Sequence, residues 1–316
     1  MEYKDIKPEN SAYLERLKYL AEPPEKLYYW GKIPEFDGET EVSPRFPDEG
    51  VGRPKTVAIV GSRKMTPYGE SIAYKTAADL ATRGVIIVSG MALGIDAMAH
   101  RGALSVRGRT IAFLGTEITN IYPRQNRELF SRIIDSGGAV LSEYNQGELM
   151  DCRLKTDSFL KRNRLISGVA DAVIVIEADV KSGSLNTAGH ALSQGVPLFA
   201  VPGDINRQMS QGCNRLFNKG AAALLSADDV LEILYKKPRK KTIKNLVSKK
   251  LVKTPDEEKI LKALQSGVRY NEEILMFIKS FLDPNFNASK FLIAATTLEI
   301  RGVIKKMDGG QWVLSC

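Results

Sequence analysis

The turn Gly61-Ser62-Arg63 stands where a short apolar, β-rich run, Thr56–Val60, stops and helix-like sequence resumes near Gly69. A strand that ends at a glycine and hands over to a helix presents backbone N–H groups to anions. Here a hydroxyl and a guanidinium occupy the same turn, so the chemistry on offer is phosphate binding. The competing reading is that Gly61 merely ends a strand and Arg63 is a solvated surface charge. The familiar nucleotide loops are absent: the next glycine after Gly61 is Gly69, which excludes G-x-G-x-x-G, and no G-x-x-x-x-G-K-[ST] occurs.

Three further constellations carry comparable chemistry. In Ser89-Gly90-Met91-Ala92-Leu93-Gly94-Ile95-Asp96-Ala97-Met98-Ala99-His100, small residues permit close backbone approach, and Asp96 precedes His100 by one helical turn. That pair is either an acid/base couple or a helix cap with a hydrogen-bonded neighbour. The second is Phe159-Leu160-Lys161-Arg162-Asn163-Arg164, preceded by Lys155. Cations suited to phosphate beside an aromatic ring suited to any base are the ingredients of single-strand binding, although a basic helix face is often only solvated. The third is the turn Ser182-Gly183-Ser184, another anion-ready helix entry. No nucleophile accompanies them, so no catalytic residue is expected. Two histidines and three widely separated cysteines, Cys152, Cys213 and Cys316, supply neither a metal cage nor a disulfide framework, and no cofactor is expected. Such cysteine usage fits a reducing cytoplasm.

These residues need elements to position them. Strand-like runs recur at Thr56–Val60, Val85–Ser89, Thr110–Leu114, Ala139–Ser142, Ala172–Glu177, Pro197–Val201 and, weakly, Ala221–Leu225. Between them lie helix-like stretches at Ser71–Arg83, Asp96–Val106, Arg127–Ser136, Leu185–Ser193 and Ala227–Tyr235. Apolar strands alternating with amphipathic helices predict an α/β fold, an extended Rossmann-like, doubly wound and mostly parallel sheet over residues 53–235. Such sheets bind ligands at the carboxyl ends of their strands, where the polar motifs fall. Residues 1–52 are expected to be an irregular lead-in, with a short helix within Ser11–Ala21. Residues 236–253 are a basic linker and 254–316 a small winged-helix-like domain, closing on a hairpin that turns at Asp308-Gly309-Gly310.

The composition is that of a soluble chain with a large core: 316 residues, 43% hydrophobic and 26% charged. No apolar run reaches the ~20 residues a membrane helix needs, and MEYKDIKPEN lacks the pattern of a secretory signal. The net charge is +8, yet the linker alone holds nine Lys/Arg and no acid; taking +9 from +8 leaves −1 for everything else. A polyanion site in the large domain must therefore be a local patch.

Taken in order, AIVGSRKMTPYG, VSGMALGIDAMAH, GRTIAFLG, IYPRQN, LSEY, FLKRNRLISG, VIVIEA, SGSLNTA, FAVPGDI and the G-x-N-x-L of Gly212–Leu216 resemble the DNA-processing protein A (DprA/Smf) family. The resemblance runs from Thr56 to about Leu234, and LEIRGVIKKMDGGQW is similar to that family's C-terminal winged-helix domain. It implies a domain that binds single-stranded DNA, forms a homodimer and helps load the RecA recombinase, protecting incoming strands during natural transformation. It implies that Gly61, Ser62 and Arg63 grip phosphate and that Phe159 stacks on a base, flanked by Lys161, Arg162, Asn163 and Arg164. Residues 1–52 are too few for the sterile-alpha-motif-like domain many members carry, and Phe159-Leu160 stands where members often have Phe-Pro. The alternative is a nucleotide-hydrolysing enzyme related to phosphoribohydrolases, whose PGGxGTxxE-like motif has no counterpart over Ser182–Ala188.

Overall fold

The computed structural model describes residues 2–35, 54–149, 152–235, 254–265, 268–306 and 310–314. The linker at 236–253 and the hairpin residues Asp308 and Gly309 lie outside them. The chain divides into two compact units, Met1–Tyr235 and Lys236–Cys316.

In the first unit, strands β1 (Lys4–Ile6) and β2 (Leu27–Gly31) lead into β3 (Thr56–Gly61), β4 (Ile86–Ser89), β5 (Thr110–Leu114), β6 (Ala139–Ser142), β7 (Ala172–Ile176), β8 (Leu198–Ala200) and β9 (Ala222–Ala223). The helices between them are α1 (Pro67–Thr82), α2 (Ile95–Ser105), α3 (Arg127–Asp135), α4 (Cys152–Val169), α5 (Ser184–Ser193), α6 (Gln208–Phe217) and α7 (Ala227–Leu234). All nine strands form one sheet in the order β1-β2-β6-β5-β4-β3-β7-β8-β9. Strands β3 to β9 run parallel, while β1 and β2 join antiparallel. This is an α/β, Rossmann-like, doubly wound sheet. Its order reverses between β3 and β7, the neighbours paired from Val57↔Ala172 to Gly61↔Ile176.

Strand alternation explains why both faces are covered. Val57 and Ile59 pack with Ala77 and Leu80 of α1, Met98 of α2 and Val230 of α7. Ala58 and Val60 pack on the opposite face with Leu165 and Val169 of α4, Ala188 of α5 and Cys213 of α6. Burial of Cys213 pushes its thiol up to about 11, so it behaves as a small hydrophobe. Thr66 caps α1 by accepting the Gly69 N–H, with Pro67 at the first helical position.

The expected lead-in is corrected over its described part. Leu27–Gly31 pairs with β6 from Tyr28↔Ser142 to Gly31↔Ala139, and the segment before it holds short 3₁₀ helices at Pro8–Asn10 and Glu15–Tyr19, the second inside the expected helical stretch. Tyr13, Leu14, Leu17 and Leu27 are fully buried in the core beside α4. Apolar burial against α4 and pairing with the free edge of β6 decide this segment, and neither has a periodic signature in so short a run.

The second unit has helices α8 (Pro255–Gln265), α9 (Asn271–Phe281) and α10 (Ala288–Ile300), then β10 (Ile304–Lys306) paired antiparallel with β11 (Trp312–Leu314). It has its own core, including Ile260, Phe286, Phe291 and Trp312. No helix among the described residues is long and apolar enough to cross a membrane.

Candidate nucleic-acid interface

At the carboxyl end of β3 the chain has room only for glycine. A Cβ on Gly61 would lie 1.8 Å from the Ile176 carbonyl oxygen and 2.7 Å from Ile95 Cγ1. Ser62 follows, 7% exposed and engaged by the scaffold. Its N–H donates to Glu177 O (2.7 Å), its carbonyl accepts the Ile95 N–H (3.1 Å), and its hydroxyl accepts the Lys64 N–H (3.0 Å) while lying 3.4 Å from Met209 Sδ. Gly94, at φ +77°, passes so close that a Cβ there would sit 2.2 Å from Ser62 O. Arg63 and Lys64 are the parts of the turn left exposed. The turn is therefore built by Gly61 and Ser62 and presents two cations.

Glu177, just past β7, supports the turn from below. It is buried at φ +53°, and its carboxylate accepts the Thr66 N–H (2.8 Å) and the Thr66 hydroxyl. A left-handed non-glycine residue held by such contacts is a feature typical of functional sites.

Helix α4 distributes its motif around its circumference, because successive residues turn about 100°. Phe159 faces the turn: the Arg63 guanidinium lies 5.5 Å from its ring centroid, and the Tyr122 ring is 5.7 Å away at 56°. Arg162 is 4% exposed and donates to Gly90 O (2.8 Å), Phe113 O and Asn163 Oδ1 (3.2 Å). Burial lowers its pKa to about 10, opposed by the Asp96 carboxylate, so it stays a cation at neutral pH. Asn163 donates to Gly183 O (3.3 Å) and Asn186 Oδ1 (3.1 Å), tying α4 to the turn before α5. Within that turn the Ser182 and Ser184 hydroxyls are 2.8 Å apart.

One cleft of about 670 Å³ gathers these groups at the β3–β7 switch point. Gly61, Ser62 and Arg63 line it from the first turn, Phe159, Arg162 and Asn163 from α4, and Ser182, Gly183 and Ser184 from the second turn. Lys64 and Lys181 also line it, against the carboxylates of Asp96 and Asp179. Sequence reasoning missed Lys64, Lys181, Tyr122 and Glu177. Lys64 and Lys181 adjoin motifs already singled out, and Tyr122 lies inside IYPRQN, whereas Glu177 gave no signal beyond ending a strand.

Two candidates lie elsewhere. Arg164 is 5% exposed and clamped to both Glu143 oxygens (2.8 and 2.5 Å), Glu22 O (2.8 Å) and Lys161 O (2.9 Å). Its buried, bidentate pair joins α4 to the segments before β2 and after β6, and occupies most of its donors. Lys161 is exposed but does not line this cleft. Lys155 lies within α4, and its side chain is outside the described residues.

Asp96 and His100 do not form a couple. Asp96 accepts the N–H groups of Gly90 (3.1 Å) and Ala92 (3.4 Å), bracing the loop between β4 and α2. Burial raises its pKa, against the pull of Arg162 and these N–H groups. His100 Nδ1 is 2.7 Å from Thr110 Oγ1, which itself donates to Ile87 O (2.7 Å), so Nδ1 carries the proton. Burial lowers the His100 pKa to about 3.

Comparison with known proteins points the same way. The family model "DNA recombination-mediator protein A" matches residues 48–235. The protein Smf of Escherichia coli K12 is 42% identical over 178 residues, covering 56% of this chain and 46% of that protein. The DNA processing protein DprA of Bacillus subtilis is 37% identical over 180 residues, 57% of this chain and 59% of that protein. The chain spans about half the length of the curated relatives it matches. Among solved structures, DprA from Streptococcus pneumoniae superposes with a TM-score of 0.61 at 35% identity, covering 73% of this chain and 74% of that one. DNA processing protein A from Helicobacter pylori, described for its single-stranded DNA binding mode, gives 0.59 at 33% identity, covering 75% and 97%.

Proposed function

The chain belongs to the DNA recombination-mediator protein A family, and from that premise we propose that it binds single-stranded DNA and acts as a recombination mediator. The observation that carries this reading is the cleft at the β3–β7 switch point. There Arg63 lies beside the ring of Phe159, and Lys64 and Lys181 line the same cleft. Cations suit the phosphate backbone, and an aromatic surface inside a cleft meets a base only when that base is unstacked, as in a single strand.

Within this reading Gly61 and Ser62 shape the phosphate-binding turn, Phe159 stacks on a base, and Arg162, Asn163 and the Ser182–Ser184 turn hold the far wall. No catalytic role is assigned in this reading: Asp96 accepts the Gly90 and Ala92 N–H groups, and His100 is hydrogen-bonded to Thr110. Family membership supports a homodimer, loading of the RecA recombinase onto the bound strand, a cytoplasmic location, and a role in natural transformation. The Lys236–Cys316 unit is a winged-helix-like domain in the same reading.

Gel-shift titration with single- and double-stranded oligonucleotides of one sequence tests the proposal. Single strands are expected to bind more tightly, with little sequence preference and a strong fall in affinity as salt rises. Equal or tighter duplex binding would sink it. Release of free base from nucleoside monophosphates would point instead to an enzyme.

A further inference from the structure

A second groove of about 820 Å³ lies on the other side of α4, between α4, α5 and the segment Arg16–Glu22. It begins at Leu160 and Asn186 and extends to Asp171 and Pro197. Along α4 that is about ten residues, roughly 15 Å at the helical rise. The groove adjoins the first cleft. Leu160, 44% exposed, lines both, and Asn186 in the groove is hydrogen-bonded to Asn163 in the cleft.

Its surface suits a strand better than a compact anion. Lys161 is exposed and forms no ion pair among the described residues, so it is available to one phosphate. The other two cations are committed, Arg164 to Glu143 and Arg16 to Asp171 at 3.0 Å. Tyr19 is 76% exposed; Lys18 Nζ lies over its ring, 4.8 Å from the centroid, and a base would meet the remaining face. Among the described residues the Oε1 atom of Gln194 is buried without a hydrogen-bond partner, while its Nε2 donates to Arg164 O (3.2 Å). Burial and the nearby Arg164 lower the His190 pKa, so its ring adds no charge near neutrality. The exposed carboxylate of Glu22 opposes phosphate here, which makes this groove a stacking site with one cationic contact.

We propose that a single strand gripped by the first cleft crosses Leu160 and continues along the α4–α5 groove, where Lys161 meets a phosphate and Tyr19 a base. This rests on the single-strand reading of the first cleft and extends its footprint. Labelled oligothymidylates of about 4 to about 20 nucleotides, titrated against the full chain, test it. Tyr19→Ala and Lys161→Glu are expected to weaken the longest strands about fivefold or more and leave the shortest unchanged, whereas Glu22→Lys tightens the longest. Arg63→Ala weakens every length. If Tyr19→Ala and Lys161→Glu leave long-strand affinity unchanged, or weaken all lengths equally, the groove is not a subsite and the first-cleft reading stands. If the unaltered chain binds no single strand at any length, both readings fall.

Discussion

At the scale of single residues, the Gly61-Ser62-Arg63 turn separates into two residues engaged by the fold and one exposed cation. Gly61 and Ser62 are occupied by their own fold, and Arg63 faces solvent beside Phe159. Arg63→Ala is therefore expected to weaken single-strand binding for every sequence and to reduce the slope of log affinity against log salt by about one. Unchanged affinity and slope in a salt titration would remove Arg63 from the interface. Gly61→Ala acts through stability, because its Cβ meets a β7 carbonyl at 1.8 Å. A loss of about 3 kcal/mol is expected in urea unfolding, with the m-value retained. His100 supplies a pH signature. Its folded pKa, about 3, lies below its ordinary 6.5, so the unfolded chain binds the extra proton. That contribution is complete above 6.5 and is lost as pH falls through the interval down to 3, at about 1.4 kcal/mol per pH unit. Unfolding of the unaltered chain and of His100→Gln at pH 7, 6, 5 and 4 should show the stability difference between them shifting in favour of the variant on acidification. Parallel curves would refute the assignment. Asp96, whose raised pKa acts with the opposite sign, is common to both proteins and cancels in the difference.

At the scale of elements, α4 is the hub. One short run of residues takes four roles: Phe159 beside the turn, Arg162 bracing the ends of β4 and β5, Asn163 tying down the α5 entry, and Arg164 clamping Glu143. Removing a partner from a buried charged network costs about 3–5 kcal/mol. Arg162→Ala is thus expected to lower stability by about that much, leaving Asp96 unbalanced, whereas Lys161→Ala on the exposed face should change thermal unfolding little. Calorimetry on the two variants decides; equal shifts would contradict the division. The strands from β3 to β8 and helices α1, α2, α3, α5 and α7 were legible within a residue or a few, because continuous apolar runs and amphipathic repeats are local signals. Helix α6 was not legible: Gln208–Phe217 begins with polar residues and buries little more than Ser210, Gly212, Cys213 and Leu216. Strand β2 was hidden by its aromatics, Tyr28, Tyr29 and Trp30, which are all half-buried and show no clean alternation.

At the scale of the whole molecule, the charge outside the linker sums to −1, so a polyanion site in the first unit has to be a local patch. The two described cores are separate, one set within Met1–Tyr235 and another within Lys236–Cys316. A chain ending at Tyr235 is therefore expected to fold and to keep single-strand binding within about threefold of the full chain, a factor worth under about 1 kcal/mol. Loss of the cooperative unfolding transition, or a much larger loss of affinity in the same gel-shift assay, would assign the work to the second unit or the linker.

Local sequence was enough for the strand–helix alternation, the sheet class, the positions of the polar turns at strand ends and the likeness to one family, since each rests on patterns within a few neighbouring residues. What those residues do for one another was left to tertiary packing. Sequence adjacency put Lys161, Arg162, Asn163 and Arg164 in one cluster, while the helical turn sent Arg162 and Asn163 to one cleft and Lys161 and Arg164 to the other. The same holds for Ser62, whose hydroxyl was consumed by Lys64, and for residues 4–31, drawn into the sheet and core by burial against α4. Long-range packing and hydrogen bonding set these outcomes, and neither is written in the local periodicity of the chain.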